Sequence, residues 1–136
     1  MPECTFWEKA TAIQAYCLKG AFRGGGRCAR HWYDLDCLDC IAIASEAIVD
    51  CRLAEDVANH KQHFFRETDQ DGNVIKYQAA VSGALCLIPS AEALEALTHD
   101  YQRMREAGLL QSDVLSFDTL IERTSNLQDR ANAAHN

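Results

Sequence analysis

The chain has 136 residues, which suits one domain of ordinary size and leaves too little sequence for two independent cores. Apolar residues make up 48% of it and charged residues 24%, so the composition excludes a disordered or fibrous protein. The net charge of −7 excludes a uniformly basic nucleic-acid binder, and no window is long and apolar enough to predict a membrane span.

The cysteines and the charge distribution narrow the class of protein further. There are seven cysteines, an odd number, and no secretory segment is recognisable. We therefore expect reduced thiols in a cytoplasmic protein, most of them as small buried residues. Residues 1–35 carry five basic and three acidic side chains, whereas the remainder carries eight basic and seventeen acidic ones. If a surface of this protein contacts phosphate, the charge pattern favours the first quarter of the chain.

The first predicted helix runs from about residue 6 to Lys19 and ends at Gly20. Thr5 and Glu8 have the spacing of a capping box. Behind them, apolar residues recur at helical intervals: Phe6, Ala10, Ile13 and Cys17. The three consecutive glycines within residues 23–27 predict a mobile loop. They do not form a phosphate-binding P-loop, which needs Gly-Lys-Ser/Thr at the start of a helix.

A second and a third helix are predicted between the glycine-rich loop and residue 65. The second begins near Cys28 or Ala29, and its predicted buried stripe is Trp32, Leu35, Leu38 and Ala42. The third runs from about Ser45 to Phe65, with a predicted buried stripe of Val49, Leu53, Val57 and Phe64. The pattern leaves open whether these are two separate helices or one bent rod.

An interruption follows the third helix. Residues 69–73 are a cluster of turn formers. The apolar residues scattered over 74–88, bounded by Pro89, are too few and too broken to predict a helix. A buried extended segment or a short hairpin is expected there.

Two more helices complete the predicted fold. Ser90 is expected to cap the fourth, which ends at Gly108. Ser116 is expected to cap the fifth, which frays into residues 132–136. The predicted fold class is all-α: a compact bundle of about five helices with one short irregular or extended segment near residues 68–89.

One arrangement of soft ligands suggests zinc. Cys37-x-x-Cys40 and His60-x-x-His63 each place two ligands on one face of a helix, which would suit a tetrahedral site. Neither pair lies in a knuckle loop, however, and the gap between them is not that of a zinc finger. The alternative is a pair of core cysteines and a pair of partly exposed histidines.

A second arrangement suggests calcium. Residues 67–78 mimic part of a calcium-binding loop, with Gly72 at its sixth position. Gln78 occupies the twelfth position and cannot supply the bidentate carboxylate that the loop requires. Asp71-Gly72 is also a tight-turn signal in its own right. We expect no metal site in either arrangement.

Asp34-Leu35-Asp36 resembles the paired carboxylates that hold magnesium in phosphoryl-transfer enzymes. Two helical residues at this spacing point about 200° apart, so they cannot hold one ion from within a helix. Asp34 could still act alone in a cleft, and Lys9 could serve as a point charge for phosphate. The alternatives are a surface carboxylate and an exposed lysine.

Three blocks of sequence resemble a known family. They are Thr-Phe-Trp-Glu-Lys-Ala-Thr at 5–11, Arg-His-Trp-Tyr-Asp-Leu at 30–35 and His-Lys-x-x-Phe-Phe-Arg at 60–66, followed by Pro89 and by Asp100-Tyr101-x-x-Met104. In this order they resemble the C-terminal part of the AbiEii/AbiGii-type nucleotidyltransferase toxin family. The resemblance spans roughly residues 3–132, and the first two blocks are the specific ones.

The resemblance implies a function and three site residues. Full-length members join a nucleotidyltransferase core of sheet and helices to a helical C-terminal portion. They act as toxins of type IV toxin–antitoxin or phage-defence systems and transfer a nucleotide from a nucleoside triphosphate to RNA such as tRNA. In their core, two strand carboxylates hold magnesium and a Gly-Ser loop binds the triphosphate. By position, Lys9 and Arg30 match the nucleotide-binding residues, and Asp34 matches the catalytic aspartate.

Because the resemblance is to the C-terminal portion, residues 1–136 are expected to form a single helical domain without the N-terminal core. Magnesium and nucleoside triphosphate are then needed only by the full-length family, and this chain alone is expected to be inactive and without a cofactor. The expected partners are a core chain, a cognate antitoxin or a second copy, with RNA bound only by the complete enzyme and no membrane contact. The alternative function is a non-enzymatic helical module for protein interaction or dimerisation.

Overall fold

The structure, a computed structural model, describes residues 2–19, 29–64, 68–69, 71–108 and 116–134. These ranges contain six α-helices: α1 (Pro2–Lys19), α2 (Arg30–Cys40), α3 (Ile43–Val49), α4 (Cys51–Phe64), α5 (Ala91–Glu106) and α6 (Phe117–Ala134). The predicted all-α class is confirmed. None of the described helices has both the length and the apolar character needed to cross a bilayer. The predictions for Gly20, for residues 23–27, for Cys28 and for Phe65 lie outside the described residues.

Helix α1 begins earlier than predicted. Its first residue is Pro2, so Thr5 lies within the helix and the predicted capping box is wrong. Proline is well suited to a first helical position, because the N–H that it lacks would have no partner within the helix. The extra turn adds no apolar periodicity, which explains why the sequence pattern did not indicate it.

The predicted third helix is two helices. Asp50 separates α3 from α4 with a non-helical backbone, and its Oδ1 accepts a hydrogen bond from Leu53 N at 3.0 Å. Asp50 therefore caps α4 in the usual manner of an aspartate. Both ends of the predicted buried stripe are at the surface, since Val49 is 74% and Phe64 is 67% exposed. Ala42 is also exposed, in a left-handed conformation (φ 66°) just before α3.

Two tryptophans hold α1 and α2 in the core. Trp7 and Trp32 are fully buried, and each indole N–H has a distant backbone partner. Trp7 Nε1 donates to Ala47 O and Trp32 Nε1 donates to Leu87 O, both at 2.9 Å. The Tyr16 ring packs edge-on against Trp32, with the ring centroids 5.5 Å apart. A buried indole requires such a partner, so these contacts define how the helices are arranged.

The interruption between α4 and α5 consists of a turn, a 3₁₀ helix over Tyr77–Val81 and a stretch without regular secondary structure at residues 84–87, called the extended segment. At the turn, Asp69 Oδ1 accepts from Asp71 N at 2.9 Å and from Asn73 N at 3.0 Å. An isolated antiparallel bridge joins Thr68 to Val74. The Asp69 carboxylate thus organises a tight turn, in agreement with the turn signal at residues 71–72. Two positions of the suggested calcium loop, residues 67 and 70, lie outside the described part.

Side-chain amides take the place of a neighbouring strand along the extended segment. Asn132 Oδ1 accepts from Leu85 N at 2.7 Å, and its Nδ2 donates to Leu85 O at 3.1 Å. Gln128 accepts from Leu87 N at 2.6 Å, and Gln14 accepts from Cys86 N. An extended backbone buried among helices needs such partners, because unpaired amide groups are costly there.

The last two helices end and begin largely as predicted. Ser90 precedes α5, although its side chain makes no capping hydrogen bond. Gly108 follows α5 in a left-handed conformation (φ 72°), which is the usual glycine stop. Ser116 Oγ accepts from Thr119 N at 3.3 Å and so caps α6. The fraying predicted from residue 132 is wrong, because α6 continues through Ala134.

We predict that replacing Asn132 by alanine lowers the free energy of unfolding by about 1–3 kcal/mol, because both backbone groups of Leu85 lose their partner. Asn126→Ala is the matched control, since Asn126 is an exposed asparagine of the same helix. Urea denaturation of both variants measures the difference. Equal stabilities of the two variants would show that the amide contact is dispensable.

Candidate functional site

The structure brings Lys9 and Asp34 together between α1 and α2. Lys9 Nζ lies 3.2 Å from Asp34 Oδ2, and the two side chains are 29% and 27% exposed. Lys9 lies on the helix that Trp7 anchors, and Asp34 lies on the helix that Trp32 anchors. The buried indoles thus hold in place the two helices that carry this pair. The pair is accessible to a ligand from one side and supported by the core from the other.

Arg30 completes the group of three residues that the sequence predicted. It lies one turn before Asp34 on α2, and its Nε is 3.8 Å from Asp34 Oδ1. The Arg30 side chain is half exposed, so the contact is weak and easily exchanged for another anion. The structure thus places Lys9, Arg30 and Asp34 in one cluster, while their chemical roles stay predictions.

A shallow groove opens beside the pair. Its volume is about 560 Å³, and it is lined by Thr5, Lys9, Asp34, Cys37, Leu38, Cys40 and Ile41. The lining combines the charged pair, here called the charged wall, with the apolar side chains of Leu38 and Ile41, here called the apolar wall. Ile41 is 66% exposed, so the apolar wall extends to the protein surface. This combination of a charged wall and an apolar wall is typical of sites that bind small polar molecules.

Asp36 lies on a different face of α2 from Asp34 and binds α6. Arg123 of α6 lies 2.9 Å from it (Nε to Oδ1), on the side away from Lys9. Burial raises the pKa of the Asp36 carboxyl, and the Arg123 guanidinium partly offsets that rise. The prediction that Asp34 and Asp36 point in different directions is confirmed by these separate partners. The two carboxylates therefore cannot share one ion.

His31 lies next to the Lys9–Asp34 pair on α2. Its Nδ1 is buried and makes no hydrogen bond within the described part of the chain. Burial lowers the pKa of the imidazole, the Lys9 and Lys61 ammonium groups lower it further, and the Asp34 carboxylate opposes them. A buried ring nitrogen without a partner is unusual in a folded protein and calls for an explanation.

The two ligand pairs considered for zinc do not converge. Cys40 Sγ accepts from Arg123 Nη2 at 2.8 Å, so this end of α2 faces α6. His60 and His63 instead pack around Phe64 on α4, with ring centroids 4.9 Å from it in both cases. Among the described residues, no three His, Cys, Asp or Glu side chains cluster in a way that could hold a metal ion.

The interpretation of the cysteines as mostly buried is wrong. Cys37, Cys40 and Cys51 are exposed, and the other three described cysteines are half-buried: Cys4, Cys17 and Cys86. All six are free thiols. Alanine fills many of the tightly packed core positions, since a methyl group suits close contact between helices.

Comparison with known proteins gives one match. The chain matches, over residues 1–123, the family described as nucleotidyl transferase AbiEii toxin, type IV TA system. The chain belongs to the AbiEii family. No curated protein and no solved structure matches it.

Lys9, Arg30 and Asp34, the cluster in this AbiEii chain, do not by themselves fit a magnesium ion. Mg²⁺ requires oxygen ligands in near-octahedral geometry, commonly with one or two carboxylates. Among the described residues, Asp34 is the one carboxylate that lines the groove, and its two oxygens face Lys9 and Arg30. Asp36 is turned toward α6. The described residues thus supply positive charge for an anion and no cage for a cation.

Sequence reasoning did not single out His31 or Lys61, although both lie within the blocks that carry the family resemblance. The effect of the Lys61 ammonium on the pKa of His31 depends on the packing of α4 beside α1. The basic pattern of residues 1–35 pointed to the correct end of the chain. It could not indicate that the Lys61 ammonium, from the acidic remainder, lowers the pKa of His31.

We predict that the free energy of unfolding falls less steeply on acidification in His31→Gln than in the unchanged protein. The pKa of His31 is lower in the folded state than in the unfolded state. The unfolded chain therefore binds more protons below about pH 6.5, and stability that is present above that pH is lost as the pH falls through the folded pKa. Urea denaturation between about pH 7.5 and about pH 5 measures the slope.

The control is His99→Gln, which removes an exposed histidine of α5. This variant should keep the pH dependence of the unchanged protein. If His31→Gln kept it too, His31 would have no part in the acid sensitivity of the fold.

Proposed function

We propose that this chain supplies the lysine and aspartate half of an AbiEii nucleotidyltransferase site. In the complete enzyme, a nucleotide would be transferred from a nucleoside triphosphate to RNA such as tRNA. The protein would act in the cytoplasm as a toxin restrained by a cognate antitoxin. The observation that carries the proposal is the 3.2 Å contact between Lys9 Nζ and Asp34 Oδ2 in a chain of this family.

Lys9 is proposed to neutralise triphosphate charge. An ammonium group attracts phosphate oxygens as a compact point charge, and its value grows where water is partly excluded. Asp34 holds that ammonium toward the groove in the absence of nucleotide. When phosphate engages Lys9, the carboxylate becomes available to the reacting groups, which is the catalytic role proposed for it. Arg30, at the more exposed edge, is proposed to contact the nucleotide as well.

The other half of the site must come from residues outside those described. The sequence contains no Gly-Ser dipeptide, and the described ranges contain no strand that could carry paired carboxylates. Magnesium and the loop that binds the triphosphate are therefore assigned to a nucleotidyltransferase core. We infer that the 136-residue polypeptide alone transfers no nucleotide, because the charge developing on the phosphoryl group is not neutralised.

The apolar wall of the groove is the proposed contact for that core. Leu38 and Ile41 lie beside the charged pair, so a core seated there would meet Lys9 and Asp34 directly. This arrangement also supports the interaction-module alternative, since the same wall would serve a partner that is not an enzyme. The transfer assay below separates the two functions.

We predict that the 136-residue chain with radiolabelled nucleoside triphosphate, Mg²⁺ and tRNA yields no labelled RNA. Adding a family core that carries the Gly-Ser loop and the strand carboxylates should produce label. In that mixture, Asp34→Asn should lower the rate about a hundredfold, the usual cost of losing one group that acts on the transition state. The measurement is the rate of label incorporation into tRNA.

Asp56→Asn is the matched control, because it removes an exposed carboxylate of α4 that does not line the groove. Its rate should stay within about twofold of the unchanged chain once both are confirmed to be folded. Equal rates for Asp34→Asn and Asp56→Asn would refute the proposed role of Asp34. Label transfer by the chain alone would refute the proposed division of the site.

A further inference from the structure

Two exposed thiols line the groove beside the Lys9–Asp34 pair. Cys37 and Cys40 lie three residues apart at the end of α2, so both side chains project from one face of the helix. Both thiols are free and exposed, whereas an unreactive structural cysteine is typically buried. The third exposed cysteine of the described residues, Cys51, begins α4 and does not line the groove. Packing of the core therefore does not account for the two thiols in the groove.

The spacing of the two thiols is compatible with a disulfide. Residues three apart in an α-helix have Cα atoms about 5 Å apart, within the range of about 4.4–6.8 Å found in disulfides. Their Cβ atoms are about 5–6 Å apart, which is longer than a disulfide permits, so the last turn must tighten. Cys40 is the final residue of α2, and Ile41 and Ala42 leave the helical conformation directly after it. Tightening therefore meets no following turn of the same helix.

The Cys40 sulfur is connected both to α6 and to the apolar wall. Arg123 Nη2 donates to Cys40 Sγ at 2.8 Å, while Arg123 Nε pairs with Asp36 Oδ1 at 2.9 Å. Because the guanidinium is already paired with a carboxylate, its contact with the sulfur fixes a position and adds no net charge. A disulfide would draw this sulfur toward Cys37 and away from Arg123. Ile41 is the next residue and is 66% exposed, so the same movement would change the apolar wall.

We propose that Cys37 and Cys40 form a reversible disulfide that switches off the groove. This inference rests on the proposed function and adds a means of regulating the same site. Cytosolic disulfides, where they form, are usually transient and serve redox sensing or catalysis. The oxidant is hydrogen peroxide, which acts on accessible cysteines that have a second cysteine beside them. Exposed or strained disulfides are readily reduced, so a dithiol reverses the switch.

The oxidation takes two steps and consumes one molecule of hydrogen peroxide. Burial raises the pKa of the Cys37 thiol, so Cys40 reacts first and Cys37 second. The Cys40 thiolate attacks one peroxide oxygen, the O–O bond breaks, and the hydroxide that leaves takes up a proton to become water. The Cys37 sulfur then attacks the resulting sulfenic acid, the S–O bond breaks, and a second water leaves. The two thiols together lose two electrons and two protons, and peroxide is reduced to two waters.

The first test is mass spectrometry of the full chain before and after treatment with hydrogen peroxide. Digestion after Arg30 and after Glu46 releases residues 31–46, which contain Cys37 and Cys40 and no other cysteine. Oxidation should remove the mass of two hydrogen atoms from this peptide, and dithiothreitol should restore it. Cys51→Ser is the matched control and should form the same disulfide. A peptide that stays reduced, only gains oxygen or becomes linked to another cysteine would overturn the modification site.

The second test measures the effect on nucleotide transfer. The chain is oxidised and freed of peroxide before the family core, labelled triphosphate, Mg²⁺ and tRNA are added. Oxidation should lower the rate about tenfold, as a loss of about 1.4 kcal/mol in core binding would, and dithiothreitol should restore it. Each protein is compared with itself, reduced and oxidised. Cys37→Ser and Cys40→Ser should be insensitive to peroxide, and Cys51→Ser should remain sensitive.

The two tests separate the switch from the proposed function. If the disulfide forms and the reduced mixture transfers no label, the modification site stands and the proposed function fails. If the reduced mixture transfers label and the disulfide leaves the rate unchanged, the switch is overturned and the proposed function stands. Peroxide sensitivity that persists in both Cys37→Ser and Cys40→Ser would also overturn the switch. Two separate serine variants keep the result independent of the folding of either one.

Discussion

The hydrogen bonds of two buried indoles constrain the whole arrangement. Trp7 and Trp32 fill the space between α1, α2 and the elements below them, and each must place its N–H on one particular carbonyl. A purely apolar contact would tolerate sliding of one helix along the other, whereas a buried donor does not. Lys9 and Asp34 lie on the two helices that these hydrogen bonds and the Tyr16–Trp32 contact hold in place, so the core positions the pair at its 3.2 Å separation.

The irregular part of the chain is built on the same rule that buried polar groups need partners. Gln62 bonds both Ile75 O and Tyr77 N, at 3.0 and 2.9 Å, much as Asn132 bonds both backbone groups of Leu85. A helical bundle can therefore accommodate extended backbone without a second strand, provided that amide side chains lie opposite it. Helices α4 and α6 thus also hold the irregular backbone in place through polar side chains, a role that their apolar stripes do not indicate.

Periodicity in the sequence was enough to predict the class of fold and most of the helices. It failed where a single local interaction overrides a pattern, as at Asp50, whose capping bond divides one apparent stripe into two helices. The extended segment was expected to be buried, but its partners are glutamines and asparagines that read as ordinary surface residues. In the site, the family resemblance selected Lys9, Arg30 and Asp34. The effect of the Lys61 ammonium on the pKa of His31 depends on helix packing, and packing has no signature in one sequence.

Helix α2 is gripped on opposite sides by its alternating aspartates. Asp34 is tied to α1, while Asp36 and Asp39 are tied to Arg123 and Arg130 of α6. Rotation of α2 about its axis would stretch all three salt bridges at once, so they oppose such a rotation together. Arg123 of α6 also donates a hydrogen bond to Cys40 Sγ, and Cys40 lines the groove, so α6 supports the groove from behind. Proteolytic nicking of α6, or a bulky fusion that displaced it, would consequently be felt at the groove.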